Sequence, residues 1–253
     1  MIFNSISGGT GSGFSSVLLE RLADEYDRKA KLAFSIYPTE YEHPLSSAII
    51  EPYNAVMHLS QLINHVDISF TLENSAIYRV CQQKMRIERP SFSNLNRMIA
   101  QVISSLTISL RRSSDFNIDI NEYQTNLVPF KKRHFMLASY SPLNSIEESP
   151  GPYSVEQMTQ DAFETDMLLA DCEQTEGDKY MSCCLIYRGQ VSSLDANRAV
   201  SLAQRQKTFN MVEWCPTGFK IGINRSAPGY IKSGDLARTN RSLTLISNST
   251  AVQ

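Results

Sequence analysis

The sequence predicts an α/β chain in which a mostly parallel, helix-wrapped sheet is followed by a smaller α+β region. Three observations carry this. Strand-like and helix-like patterns alternate from Met1 to Asn126, the signature of strands joined by helical crossovers. Within that stretch Leu95, Met98, Ile99, Val102, Ile103, Leu106 and Leu110 stand at steps of three and four, one apolar stripe along a helix of about five turns. After Asn126 the alternation loosens into strand-like runs separated by polar loops.

Taken in order, Met1-Ile2-Phe3 is a short apolar run that meets a glycine-rich turn at once. Ser12 to Arg28 places Phe14, Val17, Leu18, Leu22 and Tyr26 at a helical period. Leu32 to Tyr37 reads as a buried strand stopped by Pro38, and Ile49 to Ile63 as a helix with Pro52 near its first turn. Val66 to Leu72 reads as a strand and Asn74 to Gln83 as a short helix. Ser93 or Ser91 caps the long helix, and a further helix begins at Asp119. His134 to Tyr140 is a strand, and Ser141 to Tyr153, rich in Ser, Pro and Glu, an exposed loop. Strand-like runs follow at Tyr180–Tyr187, Thr208–Val212, Phe219–Asn224 and Ser242–Ser247, with helices at Val155–Phe163 and Leu194–Gln206. A boundary at Leu127–Arg133 divides the chain into 1–130 and 131–253. Both ends lie close to strand-like runs, which reads as a partial chain.

Composition narrows the function. With 24 basic against 26 acidic residues the formal charge is −2, so no basic surplus points to nucleic acid or an anionic membrane. No apolar run reaches the ~20 residues of a membrane span. The five cysteines form no C-x-x-C pair, and the four histidines show no metal-ligand spacing. A reduced compartment fits that usage. The sequons at Asn224, Asn240 and Asn248 then read as chance matches.

The chemistry concentrates in Ser7-Gly8-Gly9-Thr10-Gly11-Ser12-Gly13, placed between a strand and a helix. Glycines let backbone approach an anion closely and adopt positive φ. The amides and dipole of a helix start favour negative charge. No lysine follows the last glycine, so it is no Walker loop, and the third glycine comes one residue early for a dinucleotide fingerprint. Phosphate binding and a plain tight turn both remain open on this pattern.

Gly8 to Gly13 resembles the signature loop of the tubulin family. The resemblance continues through Phe34-Ser35-Ile36-Tyr37-Pro38, Glu51-Pro52-Tyr53-Asn54, Arg89-Pro90 with Asn94-Leu95-Asn96-Arg97, Gln124 to Pro129, and Trp214 to Lys220. Glu122 and the segment Pro228 to Leu236 are similar to the alpha chains of that family. The resemblance implies a doubly wound GTP-binding domain over 1–130, including a long core helix, and an intermediate domain over 131–253. It implies that Gly8, Gly9, Thr10, Gly11, Ser12 and Gly13 hold phosphates, that Glu51 and Asn74 contact the ribose, that Phe92 stacks on the base, and that Asn94 and Asn96 read guanine. An amide suits guanine because it offers both donor and acceptor. On the residues alone, Asn94 and Asn96 read equally as helix caps and Glu51 as a first-turn carboxylate.

The resemblance further implies GTP with Mg2+ as cofactors, the family's earlier phosphate- and magnesium-contacting loops having no counterpart here and no metal ligand being assigned. It implies beta-tubulin and the microtubule as partners, and a place in the cytoplasmic cytoskeleton. In this reading Glu122 acts in trans, positioning water against the nucleotide of a neighbouring beta subunit, while the chain's own nucleotide stays intact. Asp119 and Glu122, three apart, also read as a capping-box-like helix start. A degenerate, non-polymerising protein that only binds a partner is the alternative. Ser7 departs from the usual glycine and tolerates positive φ poorly. Thr39–Ser47 carries the extra carboxylates Glu40 and Glu42, and Asn144–Tyr153 is unlike the family's lateral-contact loop.

Overall fold

A computed structural model describes residues 1–38, 49–114, 118–143, 153–172, 177–231, 234 and 236–252. The departures expected at Thr39–Ser47 and across 144–152 lie outside these residues.

Among the described residues seven strands form one sheet in the order β1-β2-β3-β4-β7-β5-β6. They are β1 (Ile2–Ser5), β2 (Leu32–Tyr37), β3 (Ile68–Glu73), β4 (Phe135–Ser141), β5 (Tyr180–Gly189), β6 (Phe219–Asn224) and β7 (Arg241–Ser249). The first four are parallel in sequence order. β7 runs antiparallel to both β4 and β5, and β6 lies parallel to β5. The sheet is thus mixed α/β, and β3–β4 pairing at Ser69–Phe135 and Phe70–Met136 carries it across the expected boundary.

Side-chain alternation along β2 shows how the helices wrap it. Leu32, Phe34 and Ile36 face one core, with Phe34 stacked on Phe70 at 4.5 Å. Ala33 and Tyr37 face another, packed with Leu19, Leu62 and Leu59. Helices α1 (Ser15–Glu25) and α2 (Glu51–His65) therefore cover one face. Helices α3 (Asn74–Gln83) and α4 (Phe92–Leu106) cover the other. In the second half, α7 (Val155–Ala162) and α8 (Ser193–Arg205) pack on Cys183, Leu185 and Tyr187 of β5. Cys184 and Ile186 of the same strand point into the core that holds α4. Every residue of β5 is buried, Ser182 and Arg188 included.

Three local expectations are corrected. The long helix stops at Thr107, whose hydroxyl donates to the Ile103 carbonyl at 2.7 Å, a side-chain bond that competes with helix continuation. A separate turn, α5 (Ile108–Arg111), follows and leaves Leu110 63% exposed. Of the two expected caps of the long helix, Ser91 is the one that serves, in a capping box with Asn94. Phe14, Val17 and Tyr26 are exposed, because the inward side of α1 and the turn that leads into it is built from Ser12, Ser15 and Leu19. Thr208–Val212 forms no strand beyond a single bridge from Met211 to Tyr180. Positive φ at Lys207 turns the chain, and Phe209 instead stacks on Phe163 at 4.1 Å.

Helix α6 (Ile120–Leu127) is anchored by a buried amide. Asn248 Nδ2 donates to the carbonyls of Leu127 and Arg133 at 2.9 and 2.8 Å. Ser182 Oγ donates to the same Leu127 carbonyl at 2.8 Å. Burial of Asn248 and Asn224 also closes two of the three sequons to a glycan. Asn248→Ala strands the Arg133 carbonyl and is expected to cost about 1–3 kcal/mol, read as a lower urea midpoint with unchanged m-value.

Candidate functional site

The carboxyl ends of the first three strands are flush. Ser5 registers with Ile36, and Ile36 with Leu72. The glycine-rich loop leaves β1 there, and Asn74 opens α3 directly after Glu73. Glu51, the first residue of α2, comes to the loop because Asn54, in the same turn, donates to the Ser7 carbonyl at 3.0 Å. Phe92 is exposed at the start of α4 and meets Tyr78 edge-on at 6.5 Å. Tyr78 lies one turn along α3 from Asn74, so Phe92 stands beside that helix start. Asn94 is buried, and its Oδ1 accepts from the Ser91 amide at 2.6 Å. The capping interaction expected of it is therefore present. Asn96 is exposed on the same helix.

The loop itself differs from the expected turn. No residue from Ser7 to Gly13 has positive φ; among the described glycines only Gly189 does. Gly9 is right-handed helical (φ −61°, ψ −48°) and caps a five-residue π-turn, Thr10–Phe14, that runs on into α1. Ser7 is therefore no obstacle. The glycines serve space instead. A Cβ on Gly11 would collide with the Ser5 backbone, whereas one on Gly8, Gly9 or Gly13 would meet nothing within 4 Å. Gly11 packs the helix start onto β1, and the others leave an open face. The carbonyls are turned inward. Ser12 Oγ donates to Gly8 O at 2.6 Å and Ser16 Oγ to Ser12 O at 2.6 Å. Asn4 Nδ2 donates to Gly11 O at 3.0 Å. The first amides of a helix have no intrahelical acceptor, so this open helix start fits an oxyanion.

Glu122 lies elsewhere. Its α6 neighbour Gln124 donates to Asp67 Oδ1 at 3.0 Å, just before β3, and Asp67 Oδ2 accepts from the Lys31 amide at 2.7 Å, just before β2. Helix α6 therefore sits at the amino ends of the parallel strands, opposite the glycine loop. A cavity of about 380 Å³ opens at that end, lined by Lys31, His65, Asp67, Lys131, Lys132 and His134 among others. Asp119 caps α6 by accepting from the Ile120 amide at 2.7 Å. The Glu122 carboxylate does not complete a capping box; it pairs with Lys220 of β6 at 3.3 Å. Among the described residues no group of three could hold a metal ion, and no helix is long and apolar enough to cross a membrane.

Residues 1–82 match the family described as Tubulin/FtsZ family, GTPase domain, and residues 132–253 match Tubulin C-terminal domain. The whole chain is 49% identical to the tubulin alpha-1B chain of Physarum polycephalum. It is also 49% identical to the nucleomorph tubulin alpha chain of Guillardia theta and to the tubulin alpha-2 chain of Eleusine indica. The chain belongs to the tubulin family. It spans 56% of the length of these relatives, all of them alpha chains. In this tubulin the mixed α/β sheet and its helices are those the resemblance implied.

Sequence reasoning missed His58. It is wholly buried on α2, with Nε2 at 2.6 Å from Asn4 Nδ2 and Nδ1 at 2.9 Å from Ser16 Oγ. A histidine one turn beyond Asn54 on an otherwise mixed helix carries no spacing signal. Burial lowers the pKa of both His58 and His134 from the ordinary 6.5. The unfolded chain therefore binds these protons more readily than the folded one. The stabilisation they confer is complete above about pH 6.5 and is lost as pH falls below it. Urea midpoints should accordingly drop between pH 7 and pH 5, and His58→Gln should flatten that slope.

Proposed function

We propose that this chain is an alpha-tubulin-like subunit of microtubules, in the cytoplasmic cytoskeleton. It holds a guanine nucleotide at the carboxyl end of its sheet and pairs with beta-tubulin. Gly8 to Gly13 receive the phosphates through the free amides of the loop and the Thr10 hydroxyl, while Ser12 braces the loop from beneath by donating to Gly8 O. Glu51 and Asn74 lie at the ribose, Phe92 stacks on the base, and Asn96 with Asn94 reads guanine. Magnesium, when bound with the nucleotide, neutralises phosphate charge; no residue here is assigned to it.

One observation carries the reading. The glycine loop and Glu122 stand at opposite ends of the parallel strands, about 20 Å apart for six residues of β2. Glu122 therefore cannot reach a nucleotide on its own loop. Stacked head to tail, the same arrangement sets the Glu122 end of one subunit against the nucleotide end of the next, a heterologous contact that propagates as a filament. A carboxylate there accepts hydrogen bonds from water and orients it toward a γ-phosphate. Lys220 holds the buried Oε2 of that carboxylate in place, while both side chains remain part-exposed.

The test is GTP hydrolysis by a beta chain assembled with this subunit. Glu122→Ala is expected to slow hydrolysis by about 10²–10⁴-fold while assembly persists. Asp119→Ala removes only the helix cap, a loss of about 1 kcal/mol of helix stability, and should leave the rate near that of the unaltered subunit. Equal rates for the two variants would reduce Glu122 to an ion-pair partner of Lys220.

A further inference from the structure

We propose that His58 is the positioning residue of the Gly8–Gly13 loop: neutral, with its proton on Nδ1, it holds the carbonyls of Gly11 and Ser12 below the loop through Asn4 and Ser16, so that the amides above face the phosphates of a guanine nucleotide. The inference deepens the nucleotide-binding part of the proposed function and rests on it.

Two carbonyls fix every proton in the network. A carbonyl can only accept, so the Asn4 atom 3.0 Å from Gly11 O is the amide nitrogen. Its second hydrogen then points to His58 Nε2 at 2.6 Å, which must offer a lone pair. Ser16 has one hydroxyl hydrogen and gives it to Ser12 O at 2.6 Å. Its oxygen must therefore accept from His58 Nδ1, 2.9 Å away. Only the neutral Nδ1–H tautomer satisfies both sides. On the remaining edge, Asn4 Oδ1 accepts from Ser35 Oγ at 3.0 Å, which prevents the amide from flipping without loss.

A proton on Nε2 would face the Asn4 N–H group, donor against donor. Asn4 would have to release either the histidine or Gly11. The groups that face the ring are Asn4 from β1, Ser12 and Ser16 from the helix start, and Ser35 through Asn4. None of them is ionisable, so no carboxylate offsets a charge on His58. Burial is the larger cause of its lowered pKa, partly opposed by the Ser12 carbonyl. His58 touches no part of the open face, since it lies beneath the loop with no exposed surface. Its effect on a ligand passes through Gly11 and Ser12.

The experiment uses the full chain, labelled with ¹⁵N. The His58 ring should show a protonated Nδ1 and a bare Nε2 at pH 7, and should keep that state below pH 6.5, the ordinary value for an imidazole. The opposite tautomer, or a His58 ring that charges at or above pH 6.5, would overturn the proposal. In His58→Phe, exchange of the Ser12 amide, which donates to the Gly8 carbonyl at 2.9 Å, should quicken at least about tenfold relative to Leu245 and Ile246 in the central strand. If that variant loosens throughout, Ser16→Ala removes a single strut and should quicken the loop alone. Unchanged loop exchange in Ser16→Ala and His58→Phe refutes the assignment. Calorimetric titration with GDP separates the two layers. GDP bound equally by the unaltered chain and His58→Phe sinks the positioning role and leaves the nucleotide site standing. No GDP binding by the unaltered chain sinks the nucleotide site, and ring tautomer and loop exchange then still decide what His58 holds.

Discussion

The architecture depends on the burial of one helix, Phe92–Leu106. Its Leu95, Met98, Val102 and Leu106 share a core with Phe34, Phe70 and Leu72 from the parallel strands. The same core contains Ile186 and Ile246 from the mixed half of the sheet. Two sheet halves that could each have closed a core of their own are thereby joined, and β3–β4 pairing completes the joint. The stripe is apolar because both sides press on it. Burying a leucine-sized side chain contributes about 1.5–3 kcal/mol, so four such positions outweigh any surface ion pair in the molecule, each of which contributes about 0–1 kcal/mol.

Around that helix the two faces of the parallel strands are unlike. One is filled with stacked aromatic rings, Phe3 on Phe34 on Phe70. The other carries Ala33 and Ser35, small enough to let α1 and α2 approach closely. Close approach brings Asn4, Ser16 and His58 within hydrogen-bond reach and places a polar network directly under the glycine loop. Packing and site are thus set by the same alternation of large and small side chains.

Much of this was legible in the residues. The periodic stripe gave α4, alternation gave the parallel strands, and Asn74–Gln83 and Phe219–Asn224 were read to their end residues. The misses have local causes. Thr107 ends the long helix through a side-chain bond that apolar periodicity cannot register. Phe209 looked like part of a strand because aromatic residues favour strands, but it fills a ring cluster after the Lys207 turn. At the site, Gly8 to Gly13 and Asp119 stood out by composition and spacing. The pairing of Glu122 with Lys220 and the role of His58 join residues far apart in the chain. Only the folded sheet, not a sequence window, brings them together.

The separation of the glycine loop from Glu122 has a consequence for any polymer stacked in the proposed way. Its two ends are chemically different surfaces. One terminates in open helix-start amides and the other in a carboxylate–lysine pair beside a basic cavity. Subunits arriving at the two ends therefore meet different partners, with different charge and different demands on the nucleotide state. A filament of this kind has a direction, and that direction originates in the parallel run of β1 to β4 within each subunit.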